Sequence, residues 1–293
     1  MYYPMREADF VEGWMDMEPD LPVPKIDWIE DKVLDIPYGS DEKQKFDLYY
    51  PNGAIKKDLP VLIIVHGGGF SHMDKRDWHL YPGFFALREG FAVISMNYRL
   101  APKFRYPNGL NDVKELIRFV KRHAEEYGID PRNIFMEGTS AGGNLIGITG
   151  FEGAREHADY SVNSLLLFCP AIDFNTYTKD ADKPAMNLLY FLMLVLYFNW
   201  GKWKKEKTEA SITSYIHDHV PPVYLLQGTK DVGVPYRSAV RLYEQLKEAT
   251  GYSEQDLVFS VLDGYGHAGA DKGFFQEEHL MPAIEFMKAH IVK

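Results

Sequence analysis

The chain has 293 residues, 46% of them hydrophobic and 25% charged, which is ordinary globular usage and excludes a disordered, collagen-like or coiled-coil chain. Lys plus Arg number 32 against 42 Asp plus Glu, and the first fifty residues alone hold 13 acids and 5 bases. A chain with a net charge of −10 lacks the basic footprint that phosphate backbones require, so no nucleic-acid partner is expected.

Residues 1–30 are acidic and proline-bearing and carry Trp14 and Trp28. They read as an irregular covering arm. No basic stretch leads into an apolar one here, so no signal peptide is expected and the protein reads as cytoplasmic. Val33-Leu34-Asp35-Ile36 and Phe46-Asp47-Leu48-Tyr49-Tyr50 alternate with period two, as a half-exposed hairpin does. Continuous apolar runs follow at Val61–Val65, Phe91–Ser95, Ile134–Met136, Leu165–Phe168, Val223–Leu226 and Leu257–Leu262. Such runs suit strands covered on both faces of a parallel sheet. Helical spacing lies between several of them, at Val113, Leu116, Ile117 and Val120 and again at Val240, Tyr243 and Leu246. The alternation predicts one α/β domain over 1–293 with about eight mostly parallel strands and flanking helices.

Residues 174–215 break the rhythm with a long insertion, nearly all apolar from Met186 to Trp200 and then basic at Lys202, Lys204, Lys205 and Lys207. An apolar helix followed by a basic one at the sheet is read as a helical lid. Its longest apolar run, Leu188 to Phe198, is eleven residues, short of the ~20 that cross a bilayer, so no membrane span is expected. The single cysteine, Cys169, excludes an internal disulfide and any multi-cysteine metal site, and reads as a buried core residue.

Gly138-Thr139-Ser140-Ala141-Gly142 fits G-x-S-x-G between a strand and a helix, the sharp turn that lifts a serine oxygen above a sheet. His66-Gly67-Gly68-Gly69-Phe70 ends another strand. Its glycines let backbone amides approach a developing oxyanion, and it matches no phosphate-binding fingerprint. His66 reads as a structural hydrogen-bonder for that loop. A serine nucleophile needs a base and an orienting acid. Asp231 and then His267 stand just beyond strand ends, in the order Ser…Asp…His. Asp256, Asp263 and Asp271 are rival acids. His217 and His219 form an H-x-H pair, but they precede a strand and lack a third metal ligand; the other histidines carry no supporting context. Arg99 and Asp112 read as a loop-stabilising charge pair, with substrate binding as the alternative.

Together with Asn97-Tyr98-Arg99-Leu100-Ala101-Pro102, these motifs resemble the α/β-hydrolase superfamily. More narrowly, they resemble hormone-sensitive-lipase-like carboxylesterases and bacterial esterases of the feruloyl and acetylxylan esterase type. The latter are suggested by Phe46-Asp47-Leu48-Tyr49-Tyr50-Pro51 and Asp231-Val232-Gly233-Val234-Pro235. The resemblance implies Ser140 as nucleophile, His267 as general base and acid, and Asp231 as its orienter. It implies an oxyanion hole of the Gly68, Gly69 and Ala141 amides. It departs from the lipase-like pattern at Thr139, where that family has an acid; Glu137 lies two positions earlier. The expected activity is hydrolysis of short-chain esters through an acyl-enzyme, on a small-molecule ester partner, with no metal or organic cofactor. An amidase or arylformamidase on the same residues is one alternative, and a non-catalytic binding protein of the same fold is another.

Overall fold

The computed structural model describes residues 23–177, 184–268 and 274–293. Among them, eight strands form one sheet: β1 (Lys32–Pro37), β2 (Lys45–Tyr49), β3 (Leu59–Val65), β4 (Ala92–Met96), β5 (Ile129–Thr139), β6 (Ser164–Phe168), β7 (Val223–Gly228) and β8 (Leu257–Leu262). Their order is β1-β2-β4-β3-β5-β6-β7-β8. β2 runs antiparallel to both β1 and β4, and the remaining pairs are parallel. This is the α/β-hydrolase fold expected from the sequence.

The continuous apolar runs are explained by two cores, one on each face of the sheet. Along β3, Val61, Ile63 and Val65 enter the first core, whereas Leu62 and Ile64 enter the second. Period two thus remains, but both faces are dry. Helix α1 (Tyr81–Arg88) packs on the second face. Helix α2 (Asn108–Arg122) delivers Val113, Leu116, Ile117 and Val120 to the first. Each such side chain contributes about 1.5–3 kcal/mol on burial. Helix α3 (Ala141–Arg155) follows β5 directly.

The insertion after β6 forms α4 (Pro184–Tyr197) and the short α5 (Trp203–Glu209), an apolar helix then a basic one as expected; residues 178–183 lie outside the described residues. The C-terminal end of α4 is fastened to the body. Arg105 Nη1 donates to the Val195 and Phe198 carbonyls at 2.6 and 2.5 Å, and the Tyr106 amide donates to the Tyr197 carbonyl at 2.9 Å. A cation there satisfies orphan carbonyls and favours the negative helix end. Helices α6 (Tyr236–Thr250) and α7 (Glu277–Ala289) complete the layers.

Of the arm read over 1–30, residues 1–22 lie outside the described residues. Ile29 is fully buried and Trp28 sets its ring edge-to-face on Phe84, 5.2 Å between centroids. Arg99 and Asp112 form the expected loop-stabilising pair: the guanidinium donates to both carboxylate oxygens at 2.7–3.0 Å, and Gln44 donates to the same carboxylate at 2.8 Å. Among the described residues, no helix is long and apolar enough to cross a membrane.

Candidate active site

The turn from β5 into α3 holds Ser140 at φ 55° and ψ −115°. A non-glycine residue adopts such a backbone only where its surroundings over-determine it. Here they do. The Ser140 amide donates to the Phe168 carbonyl at 2.8 Å, and the Ser140 carbonyl accepts from Asn144 and Ala171. The turn is so tight that a Cβ on Gly142 would stand 1.9 Å from the Val65 carbonyl oxygen. This is why the G-x-S-x-G spacing requires glycine there.

Opposite the serine runs the loop His66–Phe70, in which Gly68 takes φ +88°. The amides of Gly68, Gly69 and Ala141 donate to no described residue, and all three residues line one cavity with Ser140. Ala141 opens α3, where amides have no helical acceptor. Three unspent donors around a strained serine suit the stabilisation of negative charge on an oxygen.

Asp231 follows β7 and His267 follows β8. His267 Nδ1 lies 2.8 Å from Asp231 Oδ2, and both side chains are buried. The carboxylate is locked by two further donors, Val234 N to Oδ1 and Gln227 Nε2 to Oδ2, each at 2.7 Å. The carboxylate therefore holds a proton on Nδ1 and leaves Nε2 unprotonated in the neutral ring. Nε2 has no partner among the described residues, and His267 lines the Ser140 cavity. Ser140 Oγ makes no hydrogen bond to a described residue; such contacts are commonly long in empty sites and tighten around substrate.

The histidines sort clearly. His217 bonds the Phe151 carbonyl at 2.8 Å, and neither His217 nor His219 borders the cavity. His66 is structural, as read: its Nδ1 lies 3.0 Å from the Gly67 carbonyl, its ring stacks on Tyr98, and burial pulls its pKa down to about 4. His79, which carries no supporting context in the sequence, has a place at the site. It borders the cavity, its Nε2 accepts the Gly67 amide at 3.0 Å, and its Nδ1 lies 2.6 Å from Asp77 Oδ1. Asp77 and His79 thus brace the glycine loop from behind. The only sequence signal was an Asp-x-His spacing in an irregular segment.

Among rival acids, Asp256 pairs with His290 at 3.2 Å and Asp263 accepts from Thr229; Asp271 lies outside the described residues. Cys169 is buried as expected, but it also directly follows β6, within 4.8 Å of ligand atoms of Asp231 and His267, and burial pushes its thiol pKa upward. Glu137, on β5, accepts from the Thr139 hydroxyl at 2.8 Å. Its burial pushes the carboxyl up to about 8, the hydrogen bond opposing this, so it is largely protonated at neutral pH.

The cavity holds about 130 Å³. The insertion supplies much of its apolar wall through Phe174, Tyr177, Tyr190, Met193 and Leu196. The Tyr177 hydroxyl donates to the Gly233 carbonyl, joining the insertion to the loop that carries Asp231.

A family model described as BD-FAE matches residues 46–246. The chain is 30% identical over 267 residues to the probable carboxylic ester hydrolase LipM of Mycobacterium tuberculosis, covering 88% of this chain and 61% of that protein. It spans about half to three-fifths of the length of the curated relatives it matches. Among solved structures, a truncated carbohydrate esterase from gut microbiota superposes with a TM-score of 0.74 at 21% identity, covering 92% of this chain and 99% of that one. A propionate-bound esterase of Thermogutta terrifontis gives 0.70 at 20%, covering 91% and 96%. At these identities the structural likeness shows the fold.

Proposed function

Since the chain belongs to the BD-FAE family, we propose that it is a serine carboxylester hydrolase with Ser140, His267 and Asp231 as its catalytic residues. The observation that carries this reading is the Asp231–His267 pair, whose histidine lines the same cavity as the strained serine and has no partner at Nε2 among the described residues. Ser140 Oγ attacks the ester carbonyl carbon and passes its proton to His267 Nε2. Asp231 keeps the other proton on Nδ1 and stabilises the imidazolium. The tetrahedral oxyanion accepts hydrogen bonds from the Gly68, Gly69 and Ala141 amides. His267 then protonates the departing alcohol, and water, deprotonated in turn by His267, releases the carboxylic acid from the acyl-serine.

The insertion 174–215 acts in this reading as a lid, and its aromatic wall sets the acyl size. A cavity of about 130 Å³ is comparable with the ~150 Å³ apolar cavity that takes up benzene, which suits acyl groups from acetyl to hexanoyl. The covering role of the 1–30 arm belongs to the same proposal.

The test is turnover of p-nitrophenyl acetate and butyrate by Ser140→Ala. Turnover is expected to fall by several orders of magnitude, to the residual roughly 10³–10⁴ over water that an oxyanion hole and binding supply. Near-native turnover in the folded variant would overturn the assignment.

A further inference from the structure

The outer side of the insertion holds a second cavity, of about 280 Å³. Phe191, Leu194 and Phe198 of α4 and its end, with Trp200 and Trp203 beyond, form its apolar wall. Phe191, Trp200 and Trp203 are 57%, 78% and 41% exposed. Single exposed apolar side chains are ordinary, whereas several converging on one hollow mark a binding surface. Phe174 and Tyr190 border this cavity and the Ser140 cavity alike, so an aromatic partition divides the two.

At the rim stands Lys207, its ammonium 4.9 Å above the Trp203 ring. Partial burial lowers its pKa, opposed by the charge of Asp173, yet no carboxylate forms an ion pair with it among the described residues. The acids of its own helix are engaged elsewhere: Glu209 pairs with Lys205 at 3.1 Å, and Glu206 accepts from Asn199 at 2.7 and 2.9 Å. Lys202 and Lys204, both exposed, add positive charge to the same segment. An apolar hollow ending in a partly desolvated cation that has no ion-pair partner among the described residues suits a hydrocarbon tail with an anionic head.

We propose that this cavity binds a monomeric medium-chain fatty-acid carboxylate, its tail along Phe191, Leu194, Phe198 and Trp203 and its head on Lys207. On the scale by which ~150 Å³ holds the six carbons of benzene, this volume takes a tail of roughly ten carbons. A stacked sugar chain fits less well. Asn199 spends its amide on the Tyr106 carbonyl and Glu206, and Tyr190 spends its hydroxyl on the Phe174 carbonyl, which leaves few groups to meet sugar hydroxyls. No bond is made or broken in this binding. The site requires neither Ser140 nor turnover, so its failure and that of the esterase reading are separable.

The experiment titrates the 293-residue Ser140→Ala protein with decanoate below its micelle concentration, by calorimetry and tryptophan fluorescence. Decanol, butyrate, phosphatidylglycerol vesicles and xylo-oligosaccharides serve as comparison arms. Expected is one saturable decanoate site, about tenfold tighter than for decanol, with affinity rising about fourfold per methylene. Lys207→Gln should abolish the advantage over decanol, and Trp203→Ala should weaken both by tenfold or more. A hundredfold excess of butyrate, small enough for the Ser140 cavity, should leave the isotherm unchanged. The proposal is overturned if no saturable decanoate site exists, if both variants bind as the parent does, or if butyrate competes. Binding only to vesicles or only to oligosaccharides would equally overturn it.

Discussion

Asp231–His267 and Asp77–His79 are the same chemical pair beside one cavity, the first joining the segments after β7 and β8, the second lying within the segment after β3. In both, the histidine Nδ1 lies within hydrogen-bond distance of a carboxylate, at 2.8 and 2.6 Å, and both imidazoles are buried. They differ at the other nitrogen. His79 Nε2 accepts the Gly67 amide at 3.0 Å, whereas His267 Nε2 has no partner among the described residues. A ring whose second nitrogen already accepts a backbone proton is a brace; one whose second nitrogen is open can take a proton from a serine. In the proposed mechanism the surroundings of Nε2, more than the acid behind Nδ1, separate scaffold from base.

Substitutions in the two pairs should therefore part widely. Asp231→Asn, which offers Nδ1 the wrong hydrogen-bond partner, should lower kcat by about 10⁴ with little change in KM. His267→Ala should lower it at least as far, with steady-state ester hydrolysis as the measurement. His79→Ala removes a support of the oxyanion loop but no donor. It should cost less than the roughly 10²–10³ of a deleted oxyanion donor, and about tenfold to a hundredfold is expected. The acid limb of its pH–rate profile should stay where the parent's lies, because the proposed base, His267, is intact.

A smaller effect should follow acyl length, where the insertion rather than the strand ends sets the limit. Specificity, read as kcat/KM over p-nitrophenyl esters, should rise over the first few carbons by up to about 0.8 kcal/mol per buried methylene. Beyond hexanoyl it should fall, because overpacking costs about 1–3 kcal/mol. A maximum at decanoate or beyond would show that the wall of Tyr190, Met193 and Leu196 gives way.

The smallest effect on catalysis should come from Glu137, whose role is in stability. Its carboxyl is raised by burial from 4.5 to about 8, so between those values the folded chain holds more protons than the unfolded one. The contribution of this group to stability should then fall as pH rises from about 4.5 through 8 and level off above. Glu137→Gln should flatten that slope in denaturant titrations, with a gain on the order of a few kcal/mol near pH 8.

Much of this arrangement was legible in the sequence because strand ends carry it. Continuous apolar runs mark β3 through β8, and Ser140, Asp231 and His267 follow within a few residues of the ends of β5, β7 and β8. His79 was not legible: its contact with Gly67 spans twelve residues of irregular chain and leaves no period to read. Neither was the meeting of Cys169 with Asp231 and His267, which exists only because three strand ends converge. The insertion lay between these cases. Its two helices follow from composition, but the tie from Tyr177 to Gly233 depends on how the helices are laid over the sheet.

The most direct test of the contrast between the two pairs is the rate at which a fluorophosphonate probe labels Ser140, located by peptide mass spectrometry, in the parent, His79→Ala and His267→Ala. The expected result is fast labelling of the parent at Ser140, labelling of His79→Ala that is slower but within about a hundredfold, and essentially none of His267→Ala. Labelling of His267→Ala at the parent rate, or its loss in His79→Ala alone, would contradict the assignment of His267 as the base.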